Sequence, residues 1–442
     1  MNRLLVSLLA TTLWAFPATG QAPARAEKWV ATWAASVHGP YPSGNAVAQP
    51  VLDFVFESPD KGAVDQTFRL IVKPDLWGSR VRVRLANTFG TQAVSFDDVF
   101  VGLQSGAGNL VAGTNRRVTF DGGKNGLTLV PGRSTFSDSV SINFAGSGPQ
   151  PLLSGRKLAV SFHVVGTSGP MTWHAKALTT SYVTAPRGGS HGVDESDAAF
   201  PFTTTSWYFL DAIDVMAPDT TAVVACFGDS ITDGTASTLN GDDRWPNVFS
   251  RRLHATYGSR VSVVNAGIGG NRVIGPATYS PANPFAGGPS ALDRLDRDVL
   301  GLSGLSAVIW LEGINDLTAG STVDDIVSGM REGVKRLMER GGIRIVGATI
   351  TSSLGSAGVT GAVETDARRQ AVNMFIRTSG IFDGVADFDV ATRDPGTGAL
   401  RAAFQPNSSI GGAGDHLHPN RAGYQAMGNT IDLSLFAPPR VP

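Results

Sequence analysis

The sequence predicts two fold classes in one chain: an all-β half, sandwich-like or jelly-roll-like, followed by a parallel, doubly wound α/β half. Three observations carry this prediction. Up to about Ala217 apolar residues recur with a period of two. From Thr220 short apolar runs alternate with longer stretches of helical spacing, and glycine-containing turns close three of those runs. Strand–helix alternation supplies the crossovers that parallel strands need, whereas a run of short strands separated by Gly, Pro, Asn and Asp needs only turns.

At the start of the chain, Arg3 supplies a positive charge, residues 4–16 form a short apolar run, and small residues follow. This is the pattern of a secretory signal peptide, assigned to residues 1–26, with cleavage after Gly20, Ala22 or Ala26. The run is shorter than the roughly 20 apolar residues of a membrane span. The expectation is an exported protein, periplasmic or extracellular, with no membrane span after cleavage.

Residues 27–217 form the predicted β half. Between Ser79 and Leu85 the alternation is strict, with Val81, Val83 and Leu85 on one face and Arg80, Arg82 and Arg84 on the other. Lys157 to Val164 repeats it, with Leu158, Val160, Phe162 and Val164 inward. Both read as half-buried antiparallel strands. Further strands are expected near Trp29–Ala34, Val51–Phe56, Phe68–Val72, Ala93–Val101, Arg117–Phe120, Ser139–Phe144, Met171–Val183 and Trp207–Val215.

Residues 218–442 form the predicted α/β half. Its strands are Ala222–Phe227, Val261–Asn265, Ala307–Leu311, Ile343–Ile350 and Phe382–Asp387, and its helices lie near Trp245–Tyr257, Ala291–Gly301, Val323–Arg340, Glu364–Ser379 and Arg421–Leu433. In the third helix Val323, Ile326, Val327, Met330, Val334, Leu337 and Met338 make one stripe, read as packing on the sheet. Ligands of such sheets bind beyond the carboxyl ends of the strands.

Composition narrows the function classes. Apolar residues make up 42% of the 442 and charged ones 17%, enough for a sizeable core. Lys and Arg total 36 against 37 Asp and Glu, so no basic excess points to nucleic acid. Cys226 is the only cysteine, which rules out an intrachain disulfide and a cysteine-based zinc site. It lies in the apolar run Ala222–Phe227 and reads as a core thiol.

Four segments carry the chemistry. Gly228-Asp229-Ser230 closes the first α/β strand; the glycine permits a sharp turn and the serine opens the next segment with its N–H available to an oxyanion. Residues 265–272 hold three glycines, which let backbone N–H groups approach a ligand and make Gly270 a second candidate donor. Gly313-Ile314-Asn315-Asp316 offers the Asn315 amide as a third. Asp415-His416-Leu417-His418-Pro419 supplies a general base, with His418 favoured over His416, and Asp415 to orient it. Ser230 is the candidate nucleophile. The chain has no Gly-x-Ser-x-Gly elbow, HExxH, P-loop or dinucleotide fingerprint. The loop from Ile274 to Pro289, rich in Pro, Gly, Ala and Asn, is expected to line the acyl or alcohol pocket or to be a solvent loop.

At Ser230, Gly270, Asn315 and the Asp415/His418 pair the chain resembles the SGNH/GDSL hydrolase superfamily, over about residues 220–435, with Ile231 in place of the leucine of the family name. The resemblance implies a flavodoxin-like sheet, acyl-ester hydrolysis through an acyl-serine, and no metal or organic cofactor. Three further segments, residues 29–36 (WVATWAAS), 79–90 (SRVRVRLANTFG) and 423–427 (GYQAM), resemble a branch of secreted, two-domain bacterial arylesterases and acylhydrolases, some associated with xylan breakdown. That suggests acyl groups on a polysaccharide as substrate.

The sequence therefore points to a secreted serine esterase acting on short acyl esters, acetyl foremost. Two alternatives stand beside it. One is a lysophospholipase or lipase-type acylhydrolase. The other is a carbohydrate-binding or surface-interaction protein with an idle hydrolase fold, for which Trp77, Trp173 and Trp207 could stack on sugars unless they belong to the sandwich core.

Overall fold

The computed structural model describes residues 26–142, 144, 153–406 and 414–439. The expected signal peptide therefore lies outside the described residues, apart from Ala26.

Residues 27–218 build two larger antiparallel sheets and a two-stranded one, Trp173–His174 with Trp207–Tyr208. Of the two larger sheets, the smaller runs Glu27–Ala34, Leu210–Pro218, Arg80–Asn87, Arg133–Phe136, with Val140–Ser141 also beside Arg80–Asn87. The larger runs Phe202–Thr204, Ser181–Val183, Val64–Val72, Leu158–Thr167, Val94–Gly106, Asn109–Leu110, and Arg116–Arg117 and Leu127–Leu129 also pair with Val94–Gly106. Val81, Val83, Leu85 and Ile213 of the first sheet share one buried apolar cluster with Phe68, Leu70, Val160 and Phe162 of the second.

The alternating strands are less exposed than their pattern implies. Arg82 and Arg84 stand on the face away from the sandwich core, but not in open solvent. Arg82 donates to Asp214 at 2.7 and 2.9 Å and to Ser303 Oγ at 3.1 Å, and Arg84 to Asp211 at 2.6 Å. Opposite charges and the α/β half cover that face. In Leu158–Thr167 the alternate residues Ala159, Ser161 and His163 are buried as well. The segment 188–197 is tied to Ser161 by the buried Arg69, which donates to Ser161 Oγ and to the carbonyls of Ser196 and Asp194, while Ala159 packs with Ile71 and Leu110 and His163 faces Asp65 and Asp97.

Residues 51–56 are not a strand. Leu52, Val55 and Phe56 are buried while Val51 and Phe54 are exposed, and the N–H groups of Val55 and Phe56 both reach back to Leu52 O. That i, i+3, i+4 burial is one helix-like turn, which six residues cannot distinguish from a strand by composition. Trp173 and Trp207 are core residues, 2% and 5% exposed, so neither presents a ring to a sugar; Trp77 packs at the core's edge.

The second half contains a five-stranded parallel sheet in the order Val261–Gly267, Ala222–Gly228, Leu305–Leu311, Arg344–Ala348, Gly384–Ala386. Numbered along the chain this is 2-1-3-4-5, with the switch point between the first and third strands. Trp245–Tyr257 and Val323–Arg340 are helices over the expected spans. The latter opens with a capping box at Thr322 and Asp325. Its stripe buries Ile326, Met330, Val334 and Leu337, but Met338 is 65% exposed, one residue beyond the sheet-facing stripe. Ala291–Leu295 continues as a π turn, Asp296–Leu300, rather than as one α-helix.

The two halves meet along the edge strand Val261–Gly267. Ala31 N–H donates to Ser303 O, Ser262 Oγ to Ala31 O, and Val263 N–H to Asp75. Apolar burial is continuous across the contact, since Val30 and Ile213 belong to the same cluster as Val223 and Trp310.

Candidate active site

The strand Ala222–Gly228 is buried along its whole length and lies in register with its neighbours, Gly228 opposite both Gly267 and Leu311. Three loops therefore leave the sheet side by side. Ser230 lies two residues beyond Gly228, Gly270 three beyond Gly267, and Asn315 four beyond Leu311. Gly228 must be glycine, because a Cβ there would sit 2.1 Å from Leu311 O.

Ser230 opens a four-residue helix, Ser230–Asp233, capped by Asp229, whose carboxylate accepts from Ile231 N–H at 3.0 Å. As the first helical residue, Ser230 has no intrahelical acceptor for its own N–H. Burial lifts the Asp229 carboxyl to about 7, against the Ile231 hydrogen bond that lowers it.

His418 arrives from the other end of the chain. Its Nε2 lies 2.8 Å from Ser230 Oγ, and its Nδ1 lies 2.6 Å from Asp415 Oδ2. The other Asp415 oxygen accepts from the N–H groups of Leu417 and His418 at 3.0 and 2.9 Å. Burial raises the Asp415 carboxyl, but its hydrogen bonds from the His418 ring and these two N–H groups outweigh that and hold it well below the usual range. A carboxylate only accepts, so Nδ1 carries the proton and Nε2 presents its lone pair to the serine hydroxyl. His416, the other candidate base, is exposed and stands 3.2 Å from the Gln405 amide instead.

Asn315 Nδ2 donates to Asn271 O at 2.9 Å, which leaves its second amide hydrogen for another acceptor. The next residue locks the same two loops: Asp316 accepts from Val273 N–H and Ile274 N–H at 2.9 and 3.0 Å. Gly270 has φ +83°, left-handed backbone that favours glycine.

Four residues that support these loops carry no motif. Arg294 is fully buried and donates to Gly228 O, Ala266 O and Asn271 Oδ1 at 2.7–2.8 Å, with its guanidinium 4.2 Å from the Phe227 ring. It thus ties together the ends of the two strands that lead to Ser230 and Gly270. Asp233, on the serine's helix, accepts from Gly269 N–H at 2.8 Å and faces His174 Nε2 at 3.1 Å. Lys176 reaches Thr235 in the same buried cluster. Burial opposes the Asp233 charge, and His174 and Lys176 more than offset it, holding that carboxyl below its ordinary value. His174 and Lys176 come from the β half and could be found only once the halves were packed. Asp233 alone had a signal, its place three residues after Ser230.

The loop 274–289 does not stand free in solvent. Tyr279 Oη bonds both Gly39 N and Gly39 O, at 2.9 and 2.6 Å, and Gly287 backs the Gly270 carbonyl. Cys226 is buried in an apolar cluster with Ile231 and Phe249, and burial pushes its thiol well up. Among the described residues no group of three or more His, Cys, Asp or Glu side chains is placed to hold a metal, and no helix is long and apolar enough to cross a membrane.

Residues 226–426 match the family model of GDSL-like lipases and acylhydrolases. No curated protein matches the chain. Solved structures similar to it include a member of the lipolytic G-D-S-L family from Veillonella parvula, 17% identical, covering 48% of this chain and 96% of that one at a TM-score of 0.35. A carbohydrate acetylesterase family member from Sinorhizobium meliloti is 19% identical over 48% and 95% of the two chains at 0.34. A lipase/acylhydrolase from Enterococcus faecalis is 20% identical over 48% and 93% at 0.35.

Proposed function

We propose, from the premise that residues 226–426 form a GDSL-like lipase/acylhydrolase domain, that the protein is an exported serine esterase in which Ser230, His418 and Asp415 act as a triad. The observation that carries the reading is the chain of contacts from Ser230 Oγ through His418 to Asp415, at 2.8 and 2.6 Å.

In this reaction Ser230 Oγ attacks the ester carbonyl carbon as its proton passes to His418 Nε2. The carbonyl π pair moves onto oxygen, and the oxyanion accepts from Ser230 N–H, Gly270 N–H and the Asn315 amide. Asp415 keeps the ring oriented and stabilises the imidazolium. Collapse of the tetrahedral intermediate breaks the bond to the alcohol, which leaves with the proton from Nε2. Water then gives its proton to His418, attacks the acyl-serine, and releases the acid and Ser230.

The substrate we infer is a short acyl ester, acetyl foremost, on a polysaccharide alcohol. Support comes from the two sequence segments of the β half, 29–36 and 79–90, that resemble secreted two-domain arylesterases and acylhydrolases. The division at residues 217/218 and the placement outside the cytoplasm belong to the same proposal. The test is acid release from acetylated xylan, acetylated pectin, p-nitrophenyl esters of rising chain length and lysophospholipid, each against Ser230→Ala and His418→Ala. Serine-dependent acetate from a polysaccharide, well above the aryl acetate rate, is the expected result. Activity confined to lysophospholipid would replace the substrate assignment, and hydrolysis that survives Ser230→Ala would overturn the nucleophile.

A further inference from the structure

We infer that the β half supplies part of the hydrolytic machinery, and that Asn45 is the positioning residue through which it acts. The inference rests on the reading of Gly270 N–H as an oxyanion donor.

Gly269 C=O and Gly270 N–H are the two ends of one peptide unit. That unit is trans and planar, so the direction of the N–H is fixed once the carbonyl is fixed. The carbonyl is held from the β half: Asn45 Nδ2 donates to Gly269 O at 2.7 Å. The other side of Gly269 is held from the serine's own helix, its N–H on Asp233 Oδ2 at 2.8 Å. The peptide carrying the donor is thus held from the β half, and the peptide before it from the serine's helix. Glycine elsewhere in this loop would leave such a peptide free to rotate, because both flanking residues lack Cβ atoms and their φ/ψ barriers are low. A hydrogen bond to the carbonyl also polarises the N–H at the opposite end of the unit.

Asn45 can act this way only if its own loop is rigid, and it is. Trp173 Nε1 donates to Ser43 O at 3.0 Å, and Thr205 Oγ1 to Val47 O at 3.1 Å, one anchor on each side. Between them Gly44 lies so close to Trp173, His38 and Ala175 that a Cβ would sit 2.7–2.8 Å from all three. Gly270 is equally confined, since a Cβ on it would meet Asn45 Nδ2 at 2.6 Å. A second contact between the halves lies further along the chain, where Tyr279 Oη of the following loop bonds Gly39 N and Gly39 O.

The experiment compares wild type with Asn45→Ala, Asn45→Asp and Gly44→Ala on p-nitrophenyl acetate, with rates taken per active site titrated to completion by a fluorophosphonate, so that any unfolded fraction drops out. An aryl boronic acid, which forms a tetrahedral anion on the serine, reports the oxyanion donors separately. The expected result for Asn45→Ala is a fall in kcat of about tenfold to a hundredfold, below the cost typical of deleting a donor outright, with KM unchanged and boronate affinity weakened by the same factor. Asn45→Asp, which sets an anion against Gly269 O, falls at least as far, and Gly44→Ala follows in the same sense. Wild-type kcat and boronate affinity in Asn45→Ala would overturn the inference. So would a rise in KM at constant kcat, which would make Asn45 a substrate contact. Hydrolysis persisting in Ser230→Ala would instead remove the premise, and is read from that control alone.

Discussion

Replacing Asp415 by asparagine is expected to be more harmful than its near-identical shape suggests, for a reason specific to this loop. One oxygen of Asp415 accepts two backbone N–H groups, from Leu417 and His418, while the other faces His418 Nδ1 at 2.6 Å. In Asp415→Asn the amide oxygen must take the place that faces two donors, which turns the NH₂ toward Nδ1. A donor there forces Nδ1 to accept, and the ring proton moves to Nε2, directly opposite Ser230 Oγ. The base is then blocked, not merely loosened. By analogy with a triad held in the wrong tautomer, kcat falls about 10⁴-fold, or about 5 kcal/mol of transition-state stabilisation. Asp415→Ala removes the orienting group but leaves the ring free to adopt either tautomer, so it is no slower than Asp415→Asn. Turnover of p-nitrophenyl acetate by both variants, normalised to titrated sites, decides the matter. An Asp415→Asn rate within tenfold of wild type, or one clearly above Asp415→Ala, would refute the tautomer argument. The same substitution bears on acid stability. The folded pKa of Asp415 lies below its ordinary 3.8, so its contribution is present above about pH 4 and is lost as pH falls through the lower folded value. Asp415→Asn lacks that contribution at every pH, so its urea midpoint is expected to lie below that of wild type near neutrality and to approach it as the pH falls.

Two further outcomes follow from the supporting residues. Arg294→Met withdraws a buried guanidinium from Gly228 O, Ala266 O and Asn271 Oδ1, while Asp298 keeps Arg297; at about 1–3 kcal/mol for each buried acceptor left short of its donor, a loss of about 3 kcal/mol or more is expected from urea denaturation, with kcat per titrated site down more than tenfold, and an unchanged urea midpoint would contradict the bracing role. Burial lifts Glu312 to about 8 from its ordinary 4.5, so the folded state holds a proton that the unfolded chain releases, and stability falls as pH rises through that window. Asp229, at about 7, and Asp316, at about 6, act in the same sense, so Glu312→Gln is expected to flatten the decline in urea midpoint between pH 5 and pH 8 without abolishing it; identical slopes in the two proteins would remove Glu312 from the account.

The sequence by itself determined the features set by short-range periodicity and by motif spacing. Val323–Arg340 was legible because its apolar residues fall on one helical face; the parallel strands were legible because each is a short apolar run ending at a turn. Ser230, Gly270, Asn315 and the Asp415/His418 pair could be named because each lies a few residues beyond a strand or before a helix, in segments whose residue types make sense together. Residues 51–56 were misread because three buried residues in one turn mimic a strand when only apolar content is visible.

What only the tertiary structure decided is everything that depends on contacts between distant parts of the chain. Arg82 and Arg84 alternate like solvent-facing residues, yet they pair with Asp214 and Asp211 against the other half. Trp173 and Trp207 have the chemistry of sugar platforms, yet they form core. Arg294 binds acceptors 23 to 66 positions away, and Asn45 bonds a carbonyl 224 positions away. Such partners have no common spacing, because a hydrogen bond specifies a distance and an angle in space and leaves the length of chain between its ends unconstrained. Local order follows from the repeat of the backbone; the bracing of the glycine loop follows from how the two halves, joined by one continuous apolar cluster, come to rest against one another.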